Sequence, residues 1–270
     1  LNTQMTAEGG AGIDTLNGNE NNNILILTGE NQGTLDGLVF TGFENVDLKA
    51  GDDTVYILPG GSLTGNLNGG GARKIVYLPP GAPVPPPGGV ITPPVNPPTT
   101  PPVSLPPTPS GFDIDGGYNY IYLNDNANII VLTGAGSGVV DGTNFTNFYA
   151  VDLRGGADIA TINAGGSLLG MLAGGDGTDT ININSVANTF HIDQSLTGNV
   201  DGTSISGFEL INLLEGNDTA LFSINTTASV ATSRQSLTLD GGTGTDALTL
   251  KLTKAELDLL RSAQTLSALT

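Results

Sequence analysis

The chain has 270 residues, enough for one large domain or two modest ones, and its 26 acidic and 8 basic residues give a formal net charge of −18. An acidic balance of this size argues against nucleic acid and anionic membrane surfaces as partners and favours cations. Cysteine is absent, which excludes disulfides and thiolate metal sites, and no apolar run approaches the length of a membrane span.

The first part of the chain, residues 1–78, alternates short aliphatic stretches with glycine-rich corners. The corners fall at Gly9, Gly29, Gly51 and Gly69, in steps of about 20 residues. Such a fixed spacing is typical of repeat architectures, in which each unit packs only on its neighbours. We predict a first β-solenoid module here, with two short strands and two turns in each coil. The chain starts at Leu1 with no start methionine, so we expect a processed protein or a fragment of a longer one.

The next segment, residues 79–110, is rich in proline. Fifteen of the 16 prolines of the chain lie between Pro79 and Pro109. Proline lacks the backbone N–H that a helix or a central strand needs. We predict an extended, polyproline-like linker that reaches up to about 95 Å at roughly 3.1 Å per residue; the alternative is an ordered strip docked along a neighbouring surface.

The remainder, residues 111–270, repeats the pattern of the first part. The segments DGLVFTGFENVDLKAGDDTVYI (36–57), DGTNFTNFYAVDLRGGADIATI (141–162) and DGTSISGFELINLLEGNDTALF (201–222) align with one another. The second and third copies are 60 residues apart, and the first precedes the second by 105, as if the proline-rich segment were inserted into a repeating array. We predict a second β-solenoid module over 111–270.

The C-terminal stretch TKAELDLLRSAQTL is the one convincing helical pattern. Thr253 and Glu256 form a capping box, and Leu257, Leu260 and Ala263 share one face. We predict a helix over residues 254–266 that covers the last open coil of the solenoid.

These elements together predict an all-β protein: a parallel β-solenoid, β-roll-like, with about 20 residues per coil, in two modules with a C-terminal capping helix. The alternative is a pair of antiparallel β-sandwiches, which also need short strands every 8–12 residues.

The acidic residues of the corners predict a cation site. Corners one coil apart would lie about 4.8 Å from each other, the strand spacing of a sheet, so that their carboxylates form one acidic ridge. Calcium accepts six to eight oxygen ligands from carboxylates and backbone carbonyls, and glycine lets the backbone turn its carbonyls inward. The alternative is a purely structural Gly-Asp turn, in which the aspartate accepts hydrogen bonds from backbone N–H groups.

Three nonapeptides carry a resemblance to a known family. GGAGIDTLN (9–17), GGDGTDTIN (174–182) and GGTGTDALT (241–249) resemble the GGxGxDx(L/I)x repeat of RTX-type calcium β-rolls, whose first six residues line calcium. AGDDTVYI, GGADIATI and EGNDTALF are degenerate relatives. The family repeats run in tandem, whereas those of this chain are isolated. The resemblance and the neighbouring acids give these candidate metal ligands: Gly9, Gly10, Gly12, Asp14, Asp52, Asp53, Asp158, Gly174, Gly175, Asp176, Gly177, Asp179, Asp218, Gly241, Gly242, Gly244 and Asp246.

Nearly the whole chain outside the proline-rich segment resembles the repetitive β-strand proteins of bacterial surfaces, both adhesins and surface-layer-like proteins. This resemblance implies a secreted, extracellular or cell-surface protein that is structural and not an enzyme. We expect a subunit or segment of a fibre, surface layer or adhesin, stabilised by calcium and self-associating into a polymer or array. The alternatives are a calcium-dependent module that binds a glycan or protein on a host or cell surface, and a β-helix polysaccharide lyase or hydrolase.

Overall fold

A computed structural model describes residues 5–70, 118–184, 186–193, 195–223 and 237–251. Every regular element within these ranges is a β-strand, so the prediction of an all-β protein is confirmed for them. The strands before the proline-rich segment are β1 (Thr6–Glu8), β2 (Thr15–Asn17), β3 (Ile24–Gly29), β4 (Gln32–Leu35), β5 (Leu38–Thr41), β6 (Asn45–Asp47), β7 (Thr54–Ile57) and β8 (Asn66–Asn68).

The strands after the proline-rich segment are numbered on from β9. The first nine are β9 (Tyr120–Tyr122), β10 (Ile129–Gly134), β11 (Ser137–Val140), β12 (Thr143–Thr146), β13 (Ala150–Asp152), β14 (Gly155–Gly156), β15 (Ile159–Ile162), β16 (Met171–Ala173) and β17 (Asp176–Gly177). The last eight are β18 (Thr180–Ile183), β19 (Thr189–Asp193), β20 (Thr197–Val200), β21 (Thr203–Ser206), β22 (Leu210–Asn212), β23 (Thr219–Ser223), β24 (Thr238–Asp240) and β25 (Ala247–Lys251).

Two long sheets hold nearly all of these strands. The 13-stranded sheet has the order β1-β5-β4-β3-β7-β9-β13-β16-β21-β20-β19-β23-β25, and the 10-stranded sheet has the order β2-β6-β8-β12-β11-β10-β15-β18-β22-β24. The chain passes from one sheet to the other and back in regular alternation, so each coil adds to both sheets. This arrangement is compatible with the predicted β-solenoid.

Coil-to-coil pairing is parallel, as predicted. In a coil without antiparallel strands, which we call a plain coil, the equivalent corner residue recurs 21 residues later, as from Asp158 to Asp179. Where a coil contains extra strands, the step is 30 residues, as from Asn128 to Asp158. The predicted period of about 20 residues therefore describes the plain coils only.

Three antiparallel meanders interrupt the parallel pattern, and the sequence analysis did not predict them. They are β3-β4-β5, β10-β11-β12 and β19-β20-β21, each a run of three strands within one sheet. In each meander the last turn is an Asp-Gly pair with both residues at positive φ, for example 45° at Asp141 and 81° at Gly142. These angles match a type I′ turn, the turn that two-residue hairpins favour.

The core lies between the two sheets, and in most strands it follows from the alternation of inward and outward residues. In β7, Val55 and Ile57 are buried while Thr54 and Tyr56 are partly exposed. Aromatic side chains fill the wider space beside the meanders, where Phe145 packs edge-on against Phe148 at 5.9 Å. Because every coil contributes the same inward positions, the buried side chains form one continuous cluster along the stack.

The strands on either side of the proline-rich segment share both sheets. β7 pairs with β9, so that Tyr56 faces Tyr122, and β8 pairs with β12, so that Leu67 faces Phe145. The two-module layout is therefore not confirmed, since the described coils stack without a break across it. The predicted linker (79–110) and the predicted capping helix (254–266) lie outside the described residues, and the boundaries 1–78 and 111–270 stay predictions.

Candidate functional site

The acidic corner residues are the candidate site, and in the structure they stand immediately before strands. Asp158 precedes β15 and Asp179 precedes β18 in the 10-stranded sheet. The backbone N–H of Asn128 donates to Asp158 Oδ1 at 2.7 Å, and that of Asp158 donates to Asp179 Oδ1 at 2.8 Å. The N–H of Asp179 donates in turn to Glu209 Oε2 at 2.9 Å. Each side chain thus accepts a hydrogen bond from the equivalent residue one coil earlier, which builds a side-chain ladder.

Three further ladders of the same kind exist among the described residues. In order of donation they are Asp14 to Glu44; Asn23 to Asp53 to Asn119; and Asn188 to Asp218 to Asp246. The donor–acceptor distances lie between 2.7 and 3.0 Å, which is ordinary for N–H···O hydrogen bonds.

The expectation of one acidic ridge is wrong. Asp53 and Asp218 precede strands of the 13-stranded sheet, whereas Asp14, Asp158 and Asp179 precede strands of the 10-stranded sheet. The carboxylates therefore fall into four short ladders that start strands in both sheets. The physical reason is the variable coil length, which places an Asp-bearing corner before one sheet in some coils and before the other sheet in others.

Burial is the second property of the ladders. Asp53, Asp158 and Asp179 are fully buried, and Asp218 is 1% exposed. In each of them Oδ1 accepts the ladder hydrogen bond while Oδ2 is buried and has no hydrogen-bond partner among the described residues; Asp14 Oδ2 is in the same situation. A buried ionised oxygen without a partner is costly, so each such atom calls for a proton or a cation.

Burial raises the pKa values of three ladder aspartates. Burial raises the pKa of Asp158 to about 7 and that of Asp53 to about 6, against the lowering effect of their ladder hydrogen bonds. Burial also raises the pKa of Asp179, and the neighbouring Glu209 and Asp176 carboxylates raise it further. The Asp158 carboxyl therefore keeps its proton to a much higher pH than an exposed aspartate does.

The predicted glycines form the corners themselves, and the structure brings several of them together. β14 and β17 are two successive corners that pair as a two-stranded sheet, with Gly156 facing Gly177. A Cβ at Gly177 would overlap the carbonyl oxygen of Gly156, and one at Gly175 would overlap that of Arg154. In the same way, a Cβ at Gly242 would overlap the carbonyl oxygen of Leu214, and one at Gly244 would overlap that of Gly216. These glycines are needed because successive corners stack in direct backbone contact.

The remaining predicted ligands are placed as follows. Gly174 and Gly241 lie against the carboxylates of Asp179 and Asp246, and Gly9 lies against the carbonyl of Gly42. Gly10 and Gly12 face open space. Asp176 and Asp246 are exposed, and Asp52 is half-buried with its Oδ1 accepting the N–H of Tyr118 at 3.2 Å.

A metal would find few side-chain ligands at any one corner. Among the residues that the structure describes, no three Asp, Glu or His side chains are grouped so that they could hold an ion. A calcium ion would use the free Oδ2 of a ladder aspartate and complete its shell with corner carbonyls and water, ligands that calcium accepts.

Sequence reasoning missed half of the ladder members. Asn23, Asn128 and Asn188 start three of the ladders, and Glu44 and Glu209 end two. The signal was present in the sequence. Each asparagine directly precedes the first residue of a strand, in NILIL, NIIVL and NTFHI, and each glutamate follows Gly-Phe, in GFEN and GFEL.

Asp36, Asp141 and Asp201 were also missed. Each lies in the Asp-Gly turn of a meander and accepts the N–H of the first meander residue, as Asp141 Oδ1 does from Ile129 at 2.8 Å. Asp-Gly between aliphatic runs is the standard hairpin signal. These carboxylates are structural caps of the meanders.

Comparison of the chain with known protein families, with curated proteins and with solved structures finds no match. The part of the chain that the structure describes contains no helix long and apolar enough to cross a membrane.

Replacing Asp158 with alanine tests the ladder. The Asp158→Ala change leaves the buried N–H of Asn128 without an acceptor, so we expect the free energy of unfolding to fall by about 1–3 kcal/mol. Asp176→Ala removes an exposed acid from the next corner of the stack and should cost less than about 0.5 kcal/mol. Urea denaturation of both variants in chelator measures the two losses, and equal losses would contradict the ladder.

The raised pKa values predict how stability depends on pH. The folded state binds protons on Asp53 and Asp158 more tightly than the unfolded state, whose aspartates titrate near 3.8. The folded state therefore carries no penalty below pH 3.8 and loses stability as the pH rises through about 6–7. In chelator we expect a lower melting temperature at pH 8 than at pH 5. The double variant Asp53→Asn, Asp158→Asn keeps both Oδ1 acceptors and should show a smaller difference; an unchanged difference would refute the assignment.

Proposed function

We propose that this protein is a non-catalytic extracellular structural protein, a subunit or segment of a bacterial surface fibre, surface layer or adhesin. It is stabilised by calcium and associates with copies of itself. The single observation that carries the proposal is the pair of sheets that continue from β1 and β2 to β24 and β25. A stack of this kind is a stiff rod, and its length and open ends suit a building element.

The N-terminal end of the stack supports the self-association. Among the described strands, β1 pairs with β5 alone and β2 with β6 alone. Met5 O accepts the N–H of Val39, and the N–H of Gly9 donates to Thr41 O, so the odd-numbered residues of this strand bond inward. The N–H and C=O groups of Thr6 and Glu8 therefore point to the open edge, since successive residues of a strand alternate. An edge of this kind accepts a further strand.

The C-terminal end has a different character. Phe190, Ile192, Leu239 and other apolar residues line an open groove of about 340 Å³, and Leu248 and Leu250 in β25 are 51% and 43% exposed. The chain continues from Lys251 directly beside this groove. The predicted amphipathic helix over 254–266 has the apolar face to cover it, and we propose that it does so. The complete architecture would then be a β-roll-like solenoid with one capped end and one open end.

Calcium has its own support in the ladders. The unpaired Oδ2 atoms of four buried aspartates need either a proton or a cation, and the chain carries few basic residues to neutralise them. A bound calcium ion would replace the proton, because both stabilise the same buried oxygen.

Blocking the open edge tests the proposed function. Thr6→Pro together with Thr15→Pro removes two N–H groups that face outward and leaves the pairing of β1 with β5 and of β2 with β6 in place. We expect the parent chain to sediment as concentration-dependent assemblies and the double variant to sediment as a monomer with the same melting temperature. Thr6→Ala with Thr15→Ala is the matched control and should assemble like the parent. A parent chain that stays monomeric at high concentration would refute the proposal.

Calcium binding is tested by melting at two pH values. At pH 8 the ladder carboxylates are ionised, and we expect calcium at 100 times its dissociation constant to add about 2.7 kcal/mol per site to the free energy of unfolding. At pH 5 protons occupy the raised-pKa carboxyls, so the effect should shrink. Magnesium serves as the control for general charge screening, because it demands stricter geometry. Equal effects of the two ions would show that no specific calcium site exists.

A further inference from the structure

Five of the six tyrosines of the chain gather at one place on the outside of the 13-stranded sheet. They are Tyr56 in β7, Tyr120 and Tyr122 in β9, and Tyr118 and Tyr149, which precede β9 and β13. Tyr56 faces Tyr122 in register, and the inward positions between them are aliphatic. We call this group the tyrosine surface.

The rings of the tyrosine surface form one aromatic layer. Tyr122 stacks on Tyr56 with ring centres 5.4 Å apart and on Tyr120 with centres 6.3 Å apart. Tyr149 meets both Tyr118 and Tyr120 edge-on, at 4.9 and 5.9 Å. Every ring touches at least one other ring, so the layer presents both ring faces and edges. Tyr56, Tyr118 and Tyr120 are only partly buried, which leaves part of the layer accessible.

This layer is local to three neighbouring strands. Farther along the same sheet, the outward positions of β21 and β19 are polar, namely Ser204, Ser206, Thr189 and His191, and the outward apolar residues Ile26 and Leu221 are aliphatic. A solenoid needs no aromatic residues on its outer face, because its core lies between the sheets. The tyrosine surface therefore has the composition of a contact surface and lacks that of an ordinary solvated face.

The proline-rich segment leaves and re-enters the fold beside this surface. Asn119 Nδ2 donates to Gly69 O at 2.7 Å, so the two ends of the excursion over residues 71–117 are hydrogen-bonded to each other. The first described residue after the excursion is Tyr118, which is itself a member of the tyrosine surface. The chain between Gly70 and Tyr118, whose sequence contains fifteen prolines, thus starts and ends near the tyrosine surface.

We propose that the tyrosine surface is a docking site for a polyproline II helix, and that its occupant is the proline-rich segment of the same chain, residues 79–109. Polyproline II has no internal hydrogen bonds, so its prolines can stack on tyrosine rings while its carbonyls accept tyrosine hydroxyl protons. The three strands of the surface are about 10 Å across, which corresponds to about three residues of polyproline II. Docking is intramolecular, and the tether supplies an effective concentration on the order of millimolar.

The test uses a full chain in which residues 79–109 are replaced by a Gly/Ser linker of equal length, with Tyr77→Phe in both this chain and its parent. The chain lacks tryptophan, so tyrosine fluorescence and the tyrosine band of the near-ultraviolet circular dichroism spectrum then report on the tyrosine surface alone. We expect the replacement to raise acrylamide quenching of tyrosine fluorescence and to lower the melting temperature slightly, because the docked segment stabilises the folded state, while the far-ultraviolet signal stays unchanged. A synthetic peptide of residues 79–109, added to the replaced chain, should bind saturably and restore the parent signal.

Matched variants locate the binding. Tyr120→Thr in the replaced chain copies Thr54, its neighbour in register, and should weaken peptide binding about two- to ten-fold. His191→Thr changes an exposed outward residue of the same sheet and should leave binding unchanged.

Three outcomes would overturn the proposal. They are a replaced chain with unaltered tyrosine signals that does not bind the peptide, a dimer of the parent chain that dissociates on replacement of the segment, and binding of a soluble oligosaccharide to the tyrosine surface while the segment is intact. The second would place the segment on a neighbouring copy, and the third would show that the surface is free to bind sugar.

Discussion

The structure depends on the hydrogen bonds that join the backbone of one coil to the next coil. Parallel strands satisfy the N–H groups along their length, but the N–H group of the residue before each strand lies at a corner and needs an acceptor. The ladder side chains supply it: Asp158 accepts from Asn128, and Asp179 accepts from Asp158. A side-chain oxygen thus extends the sheet by one hydrogen bond at the start of many coils. Corners without such an acceptor would leave a buried donor unpaired, at a cost of about 1–3 kcal/mol each.

The use of aspartate as the acceptor places a buried carboxylate oxygen in the interior, where the described part of the chain offers it no hydrogen-bond partner. A carboxylate accepts well at its Oδ1 but brings a second oxygen into the interior, and the Oδ2 atoms of Asp53, Asp158 and Asp179 find no partner among the described residues. Asparagine can accept the same hydrogen bond without a charge, and it does so at Asn119, whose Oδ1 accepts the N–H of Asp53 at 2.8 Å. Aspartate at the other rungs is therefore more than the fold requires. Its extra oxygen is the feature that couples stability to protons and, under the proposed function, to calcium.

The sequence predicted a β-solenoid-like architecture but not the order of the strands in its two sheets. Short strands, glycine corners and the plain coil of about 20 residues could be derived because corner chemistry recurs at a fixed spacing. The meanders were missed although Asp141-Gly142 is a hairpin signal, because the repeat was interpreted as a coil repeat only. The prediction of a single acidic ridge was wrong because the steps between equivalent corners are unequal. Asp179 and Asp218 are 39 residues apart, which is neither the 21-residue nor the 30-residue step. Which sheet an aspartate precedes depends on all strands before it, and local pattern does not carry that information.

The proline-rich excursion shows how tolerant this architecture is. Asn23 donates to Asp53 across 30 residues, and Asp53 donates to Asn119 across 66, yet the two hydrogen bonds measure 2.7 and 2.8 Å. The ladder geometry is the same with and without the excursion. Each coil contacts only its neighbours, so an insertion at a corner leaves every other contact in place, and the entropy of closing a longer loop grows only logarithmically with its length. A stack of coils can therefore accommodate a long proline-rich segment in mid-array without a break in either sheet, and the described residues at its two ends, Gly69 and Asn119, are hydrogen-bonded to each other.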